Sequence, residues 1–245
     1  MKGYNGLYLM GNYPGAELFV ETALYGLKHF DFLEIGIPFT DPVADGPVIE
    51  RAAHELIEKG FRMDDLLRSV RRIRDGAPAG KKLLFMTYAN IVHSRGAAPF
   101  ASLCRYAGVS GVILPDVHFE ESAPFRRAFR PEGVDLISFI TPENTEEQIR
   151  KIATAASGFL YCISIRGITG NALSLDAQTQ KKIALARSHS RVPVVLGFGI
   201  RDRATAATAL KHADGFIMGT AVIEALNRKK LPGVRSLLRS LEETA

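Results

Sequence analysis

Residues 32–59 read FLEIGIPFTDPVADGPVIERAAHELIEK: a strand, a stiff loop and a helix in succession, and the recurrence of that unit decides the fold. FLEIGI (32–37) is a short β-rich run. In PVIERAAHELIEK (47–59), Val48, Ala52 and Leu56 recur at four-residue spacing, as do Ile49, Ala53 and Ile57, with the charges mostly between them. That period marks an amphipathic helix. Outward from this unit the same alternation fills the chain. Further strands are expected at 6–11, 82–88, 111–116, 135–140, 158–165, 192–199 and 214–220. Helical patterns occupy 16–29, 63–75, 98–107, 120–130, 145–156, 176–189, 202–212 and 221–228. Thr141-Pro142 closes the fifth strand, and Asn144 or Thr145 is placed to cap the helix after it. Every strand is thus followed by a helix, with one additional helix after strand 2. Such alternation means parallel pairing. The expected fold is α/β: a single (β/α)8 TIM barrel over residues 1–245, with no clear N-terminal floor helix. An open doubly wound sheet is the alternative, but no G-x-G-x-x-G follows the first strand.

The totals agree with one globular domain. The 245 residues are 47% hydrophobic and carry a net charge of +5. Basic residues such as Arg71, Arg72, Arg74, Lys81 and Lys82 are interspersed with acids instead of being gathered with aromatics, a pattern that suits a small anionic substrate better than nucleic acid. Cys104 and Cys162 lie far apart without C-x-x-C spacing, so a disulfide framework or zinc site is not expected and a reducing cytoplasm is. The opening MKGYNGLYLMGNYPG lacks a signal peptide's apolar segment and cleavage motif. No apolar run approaches the ~20 residues needed to span a bilayer.

A barrel of this kind carries its chemistry at the C-terminal ends of the strands. Alternation along strand 2 puts Leu33, Ile35 and Ile37 on the helix-facing side and Phe32, Glu34 and Gly36 inside, with Gly36 leaving space above Glu34 towards the mouth. No strand carries a Lys or Arg at an evidently inward position. Burial should therefore disfavour the charged form of Glu34, which suits acid/base work. The following loop presents Asp41 and Asp45, stiffened by Pro42 and Pro47. Asp45 is either a helix N-cap or a catalytic group; Asp41 reads as a turn former. Strand 7 ends in Gly197, Phe198, Gly199 and strand 8 in Met218, Gly219, Thr220, each opening onto a helix. Loops after strands 7 and 8 form the recurrent phosphate site of this fold, where glycine N–H groups and a helix dipole meet an anion. The loop RGITGN (166–171) is placed to close that site or act as a lid. Tyr88, Tyr161 and Phe198 are candidate aromatic contacts, the tyrosines equally readable as core residues. The histidines show no H-x-H or H-x-x-x-H spacing, so no metal site is expected.

These residues resemble the tryptophan synthase α subunit family. LEIGIPFTDPVADGP (33–47), TYANIV (87–92), GVILPDVHFEES (111–122), SIRGITG (164–170), LGFGI (196–200) and IMGTAV (217–222) occur in family order over nearly the whole chain. The resemblance implies retro-aldol cleavage of indole-3-glycerol phosphate to indole and glyceraldehyde 3-phosphate, without metal or organic cofactor. It implies Glu34 and Asp45 as the catalytic pair, Gly170, Gly199, Gly219 and Thr220 as phosphate contacts, Tyr161 as a substrate contact and Thr169 as the lid threonine. In this reading Glu34 shuttles protons, while Asp45, ionised in a more polar loop, accepts from the indole N–H. The resemblance further implies an α2β2 assembly, in which a β subunit holding pyridoxal phosphate consumes the indole. The chain departs from the family pattern at GNYPG after strand 1, with Asn12 where an acid is usual, at His118 in place of a proline, and at Thr220 in place of serine. Other readings are a scaffold that only activates a β partner, a sugar-phosphate isomerase or epimerase, and a stand-alone indole-producing lyase.

Overall fold

The structure, a computed structural model, describes residues 3–42, 45–163 and 175–242. Its strands are β1 (Gly6–Met10), β2 (Phe32–Gly36), β3 (Lys82–Met86), β4 (Gly111–Ile113), β5 (Asp135–Ile140), β6 (Leu160–Cys162), β7 (Val194–Leu196) and β8 (Gly215–Met218). All neighbours pair in parallel and β8 returns to β1, which closes the barrel. The open doubly wound sheet is thereby excluded. Several strands are shorter than the sequence suggests. In β4 the apolar run continues into Leu114 and Pro115, but a proline has no N–H to give the ladder, and the chain leaves the sheet after Ile113.

The helices are α1 (Ala16–Gly26), α2 (Pro47–Glu58), α3 (Met63–Gly76), α4 (Ala89–Arg95), α5 (Ala97–Ala107), α6 (Ala123–Phe129), α7 (Glu146–Ala155), α8 (Ala177–His189), α9 (Arg203–His212) and α10 (Thr220–Glu242). The additional helix after β2 is present. A second, α4, was not expected, because seven residues are too few to display a period. Its first turn is held from another loop: the Ala89 N–H donates to both carboxylate oxygens of Asp116, at 3.1 and 2.9 Å. The last helix also runs past the expected end at 228. It kinks at Lys229 and at Lys230 (φ 51°), and Pro232, which reads as a stop, lies just beyond the kink. Val234, Leu238 and Leu241 then bury a second apolar face.

Two apolar layers follow from strand alternation. Leu33, Ile35 and Ile37 pack outward with Leu66, Val70 and Ile73 of α3. Phe32, Leu84, Ile113, Ile137, Val195 and Ile217 fill the interior. Residues 3–5 are not helical, and aromatic rings plug the lower barrel. Tyr4 stacks on Phe32 at 5.0 Å between centroids, and Phe32 on Phe159 at 4.9 Å. A Cβ at Gly6 would sit 2.1 Å from the Phe32 ring, so this stack requires glycine beside it. With the lower interior filled, open space remains at the C-terminal mouth. Among the described residues no helix is long and apolar enough to cross a membrane.

Candidate active site

The mouth holds a cavity of about 520 Å³. Glu34 reaches it from β2 and Asp45 from the loop before α2, while Gly199, Arg201, Gly219 and Thr220 line it on the β7–β8 side. Tyr8, Ile49, Met86, Tyr161, Phe198 and Ile217 supply most of the remaining wall.

Glu34 faces inward, as alternation along β2 requires, and is only 1% exposed. Its Oε2 has no hydrogen-bond partner among the described residues. Burial, and secondarily the nearby charge of Asp45, pushes its carboxyl up to about 8. An unpaired acid in such a place holds its proton at neutral pH. The space expected above Gly36 is not empty. A Cβ there would lie 2.2 Å from the Tyr8 hydroxyl, so Gly36 admits the end of the Tyr8 ring next to Glu34. Tyr8 pairs in register with Glu34 across β1 and β2. Burial, then Asp45 and Glu34, hold its phenol well above its ordinary range, so it stays protonated.

Asp45 is not the cap of α2. That position belongs to Gly46, with no side-chain cap bond and Pro47 opening the helix. The Asp45 carboxylate is instead turned to the cavity, where its Oδ2 accepts from the Tyr88 hydroxyl at 3.4 Å. Its Oδ1 is unpartnered among the described residues. The expected polar surroundings are corrected here: Asp45 is 9% exposed. Burial lifts its carboxyl to about 6, opposed by the Tyr88 hydrogen bond and aided by Glu50. The two acids still titrate apart, because Glu34 is the more deeply buried and has no donor among the described residues. Asp41 lies exposed and accepts from the Thr40 hydroxyl at 2.5 Å, in keeping with its reading as a turn residue.

Tyr88 enters the site through Asp45, its ring stacked on Phe39 at 4.8 Å, and does not itself line the cavity. Tyr161 does line it, 6.4 Å centroid to centroid from Phe198 in an edge contact. Gly197 makes that possible, since a Cβ there would lie 2.0 Å from the Tyr161 ring. On the β7–β8 side, Gly199 takes a left-handed backbone (φ 76°) that favours glycine. The two helix ends there are unequal. The N-terminus of α9 is closed by Asp202, whose carboxylate accepts from the Thr205 N–H at 2.9 Å in a capping box. The N-terminus of α10, at Gly219 and Thr220, is the one that opens on the cavity. Thr169 and Gly170 lie outside the described residues. Sequence reasoning missed Tyr8 and Arg201. The first was legible, since Leu7 and Leu9 pack outward and Tyr8 must then turn in; the second had no signal beyond standing two residues past Gly199.

The family model for the tryptophan synthase alpha chain matches residues 7–244. The tryptophan synthase alpha chain of Methanocaldococcus jannaschii is 34% identical over 227 residues, covering 93% of this chain and 80% of its own. That of Staphylococcus carnosus is 33% identical over 241 residues, covering 97% and 95%. Among solved structures, the tryptophan synthase of Mycobacterium tuberculosis superposes with a TM-score of 0.87 at 33% identity, covering 98% of this chain and 91% of that one.

Proposed function

The chain belongs to the tryptophan synthase alpha chain family, and from that membership we propose how its cavity performs the family's reaction. The activity is that of the α subunit, a carbon–carbon lyase that splits indole-3-glycerol phosphate into indole and glyceraldehyde 3-phosphate. The observation that carries the residue assignments is the pair of buried carboxylates, Glu34 and Asp45, each with an oxygen unpartnered among the described residues, on one cavity.

Protonated Glu34 gives its proton to indole C3, which leaves a positive charge on the ring nitrogen. Asp45, ionised, accepts a hydrogen bond from the ring N–H and stabilises that charge. The bond from C3 to the side chain then breaks, and its electron pair returns to the ring and restores indole. The adjacent hydroxyl becomes the aldehyde carbonyl and passes its proton to the Glu34 carboxylate, which is thereby regenerated. Tyr161 and Phe198 flank the indole, and Tyr88 orients Asp45. The phosphate lies against Gly199, Gly219 and Thr220, where the α10 dipole favours an anion.

In this reading the proton transfers come from the chain's own side chains, and pyridoxal phosphate is confined to the β partner. The chain works in the cytoplasm within an α2β2 assembly and hands its indole to that partner. Incubation of the purified chain with indole-3-glycerol phosphate, alone and with a β subunit, tests the reading. Indole and glyceraldehyde 3-phosphate should appear in equal amounts, faster with the partner present. No indole under either condition would remove it.

A further inference from the structure

Glu34 lines the cavity, but its Oε2 is enclosed and has no donor among the described residues. While the group holds its proton the deficit is small. Once that proton has gone to the substrate, a buried carboxylate is left, and an unpaired charge in such a place is costly. Asp45 has the Tyr88 hydroxyl on one of its oxygens, whereas Oε2 of Glu34 has nothing comparable among the described residues. The groups that face Glu34 point to a donor. Its register partners are Tyr8 on β1 and Leu84 on β3. Asp45 reaches the cavity from the loop before α2, and Tyr161 reaches it from β6, on the opposite side of the closed barrel from β2. Arg201 lines the same cavity and pairs with Glu224 at 3.7 Å. With Tyr161 flanking the indole, bound substrate separates that phenol from Glu34. Tyr8 stays on the Glu34 side.

The backbone fixes where the Tyr8 hydroxyl lies. A Cβ at Gly219 would sit 3.2 Å from the Tyr8 Cβ, and one at Gly36 would sit 2.2 Å from its hydroxyl. The ring is thus held between two glycines, with its tip beside β2 at the residue that follows Glu34 on the inward face. Tyr8 is buried and lines the cavity. Burial, then Asp45 and Glu34, keep its phenol protonated, so the hydroxyl has a hydrogen to offer. We propose that Tyr8 is a positioning residue for the proton transfer. Its hydroxyl donates a hydrogen bond to the Glu34 carboxylate that forms when the proton passes to indole C3. One carboxylate oxygen is thereby held, and the other takes the proton back from the substrate hydroxyl. Tyr8 keeps its own proton throughout. The proposal rests on the lyase reading for the step at which Glu34 ionises, while the contact between the two side chains belongs to the chain alone.

The test compares wild type with Tyr8→Phe, which keeps the ring between Gly36 and Gly219 and removes only the hydroxyl. The Glu34 carboxyl is titrated in the chain alone by infrared difference spectroscopy, with Glu34→Gln to assign its band. The pH dependence of kcat/KM, and kcat and KM themselves, are measured on indole-3-glycerol phosphate with a β subunit present. A hydrogen bond to the charged form favours that form. Tyr8→Phe should therefore raise the Glu34 midpoint, and the alkaline limb of kcat/KM with it, by about one pH unit. Its kcat should fall about tenfold, the size of one lost hydrogen bond to a charged group, with KM and Tm close to wild type. An unmoved Glu34 midpoint would overturn the proposal, whether or not kcat and Tm fall, because a packing role alone leaves the titration in place. A shift confined to the acid limb would also overturn it, by placing the hydroxyl on Asp45. The titration needs no turnover. Wild type that releases no indole fails the lyase reading, and the Glu34 midpoint still decides the role of Tyr8.

Discussion

Glu34 is where the physical argument is sharpest. An acid whose folded-state carboxyl sits at about 8, against an ordinary 4.5, keeps in the native protein a proton that the unfolded chain has already released. Between those values the native state binds more protons, so stability falls as pH rises through the window. Glu34→Gln removes that loss. Denaturant unfolding should show the variant gaining on wild type as pH climbs, by on the order of a few kcal/mol near pH 9 and little near pH 4. A difference that does not vary with pH would mean Glu34 is paired in solution. Asp45 adds a second, lower window, from 3.8 to about 6, that both proteins share. The same two groups set the activity profile. With Asp45 needed ionised and Glu34 needed protonated, kcat/KM should be bell-shaped, with limbs near 6 and 8. The inward turn of Glu34 was legible from alternation alone. The burial of Asp45 was not, since its partner Tyr88 lies 43 residues away, where local loop chemistry does not report it.

Elements differ in how far their own sequence specifies them. In α7 the signal is complete: the Thr145 hydroxyl accepts from the Gln148 N–H at 3.3 Å, and the Gln148 side chain accepts from the Thr145 N–H at 2.9 Å. Asn144, the other candidate cap, instead accepts from the Thr141 N–H at 2.8 Å and fixes the turn before the helix. Thr145→Ala should lower stability by about 1 kcal/mol, measured by urea unfolding, and leave kcat unchanged; a loss well beyond that would mean the cap also holds the β5 loop. By contrast α4 starts on a carboxylate from the next βα loop, Asp116, and no local pattern announces it. The far half of α10 was legible in principle, since Val234, Leu238 and Leu241 keep helical spacing, although the kink at Lys229 and Lys230 and Pro232 inside the helix interrupt it. Local chemistry marks an element's start when the cap lies within it and fails when the partner comes from elsewhere in the fold.

At the scale of the whole molecule, the barrel solves one problem: holding a protonated Glu34, an ionised Asp45 and the N-terminus of α10 around one cavity. An aromatic plug fills the lower interior, so the mouth is the place left for a substrate. Parallel strands deliver Glu34 there from β2 and the glycine-rich turns from β7 and β8, parts of the chain more than a hundred residues apart. The order of strands made this arrangement readable from sequence. The filling of the mouth by Tyr8 and the unequal helix ends of α9 and α10 emerged only from packing. The central claim is that Glu34, buried and protonated, moves the protons of carbon–carbon cleavage. Single-turnover release of indole from saturating indole-3-glycerol phosphate tests it most directly, with wild type and Glu34→Gln each in complex with a β subunit. The account predicts a rate about 10²–10⁴-fold lower in the variant, with substrate affinity retained; equal rates in the two proteins would contradict it.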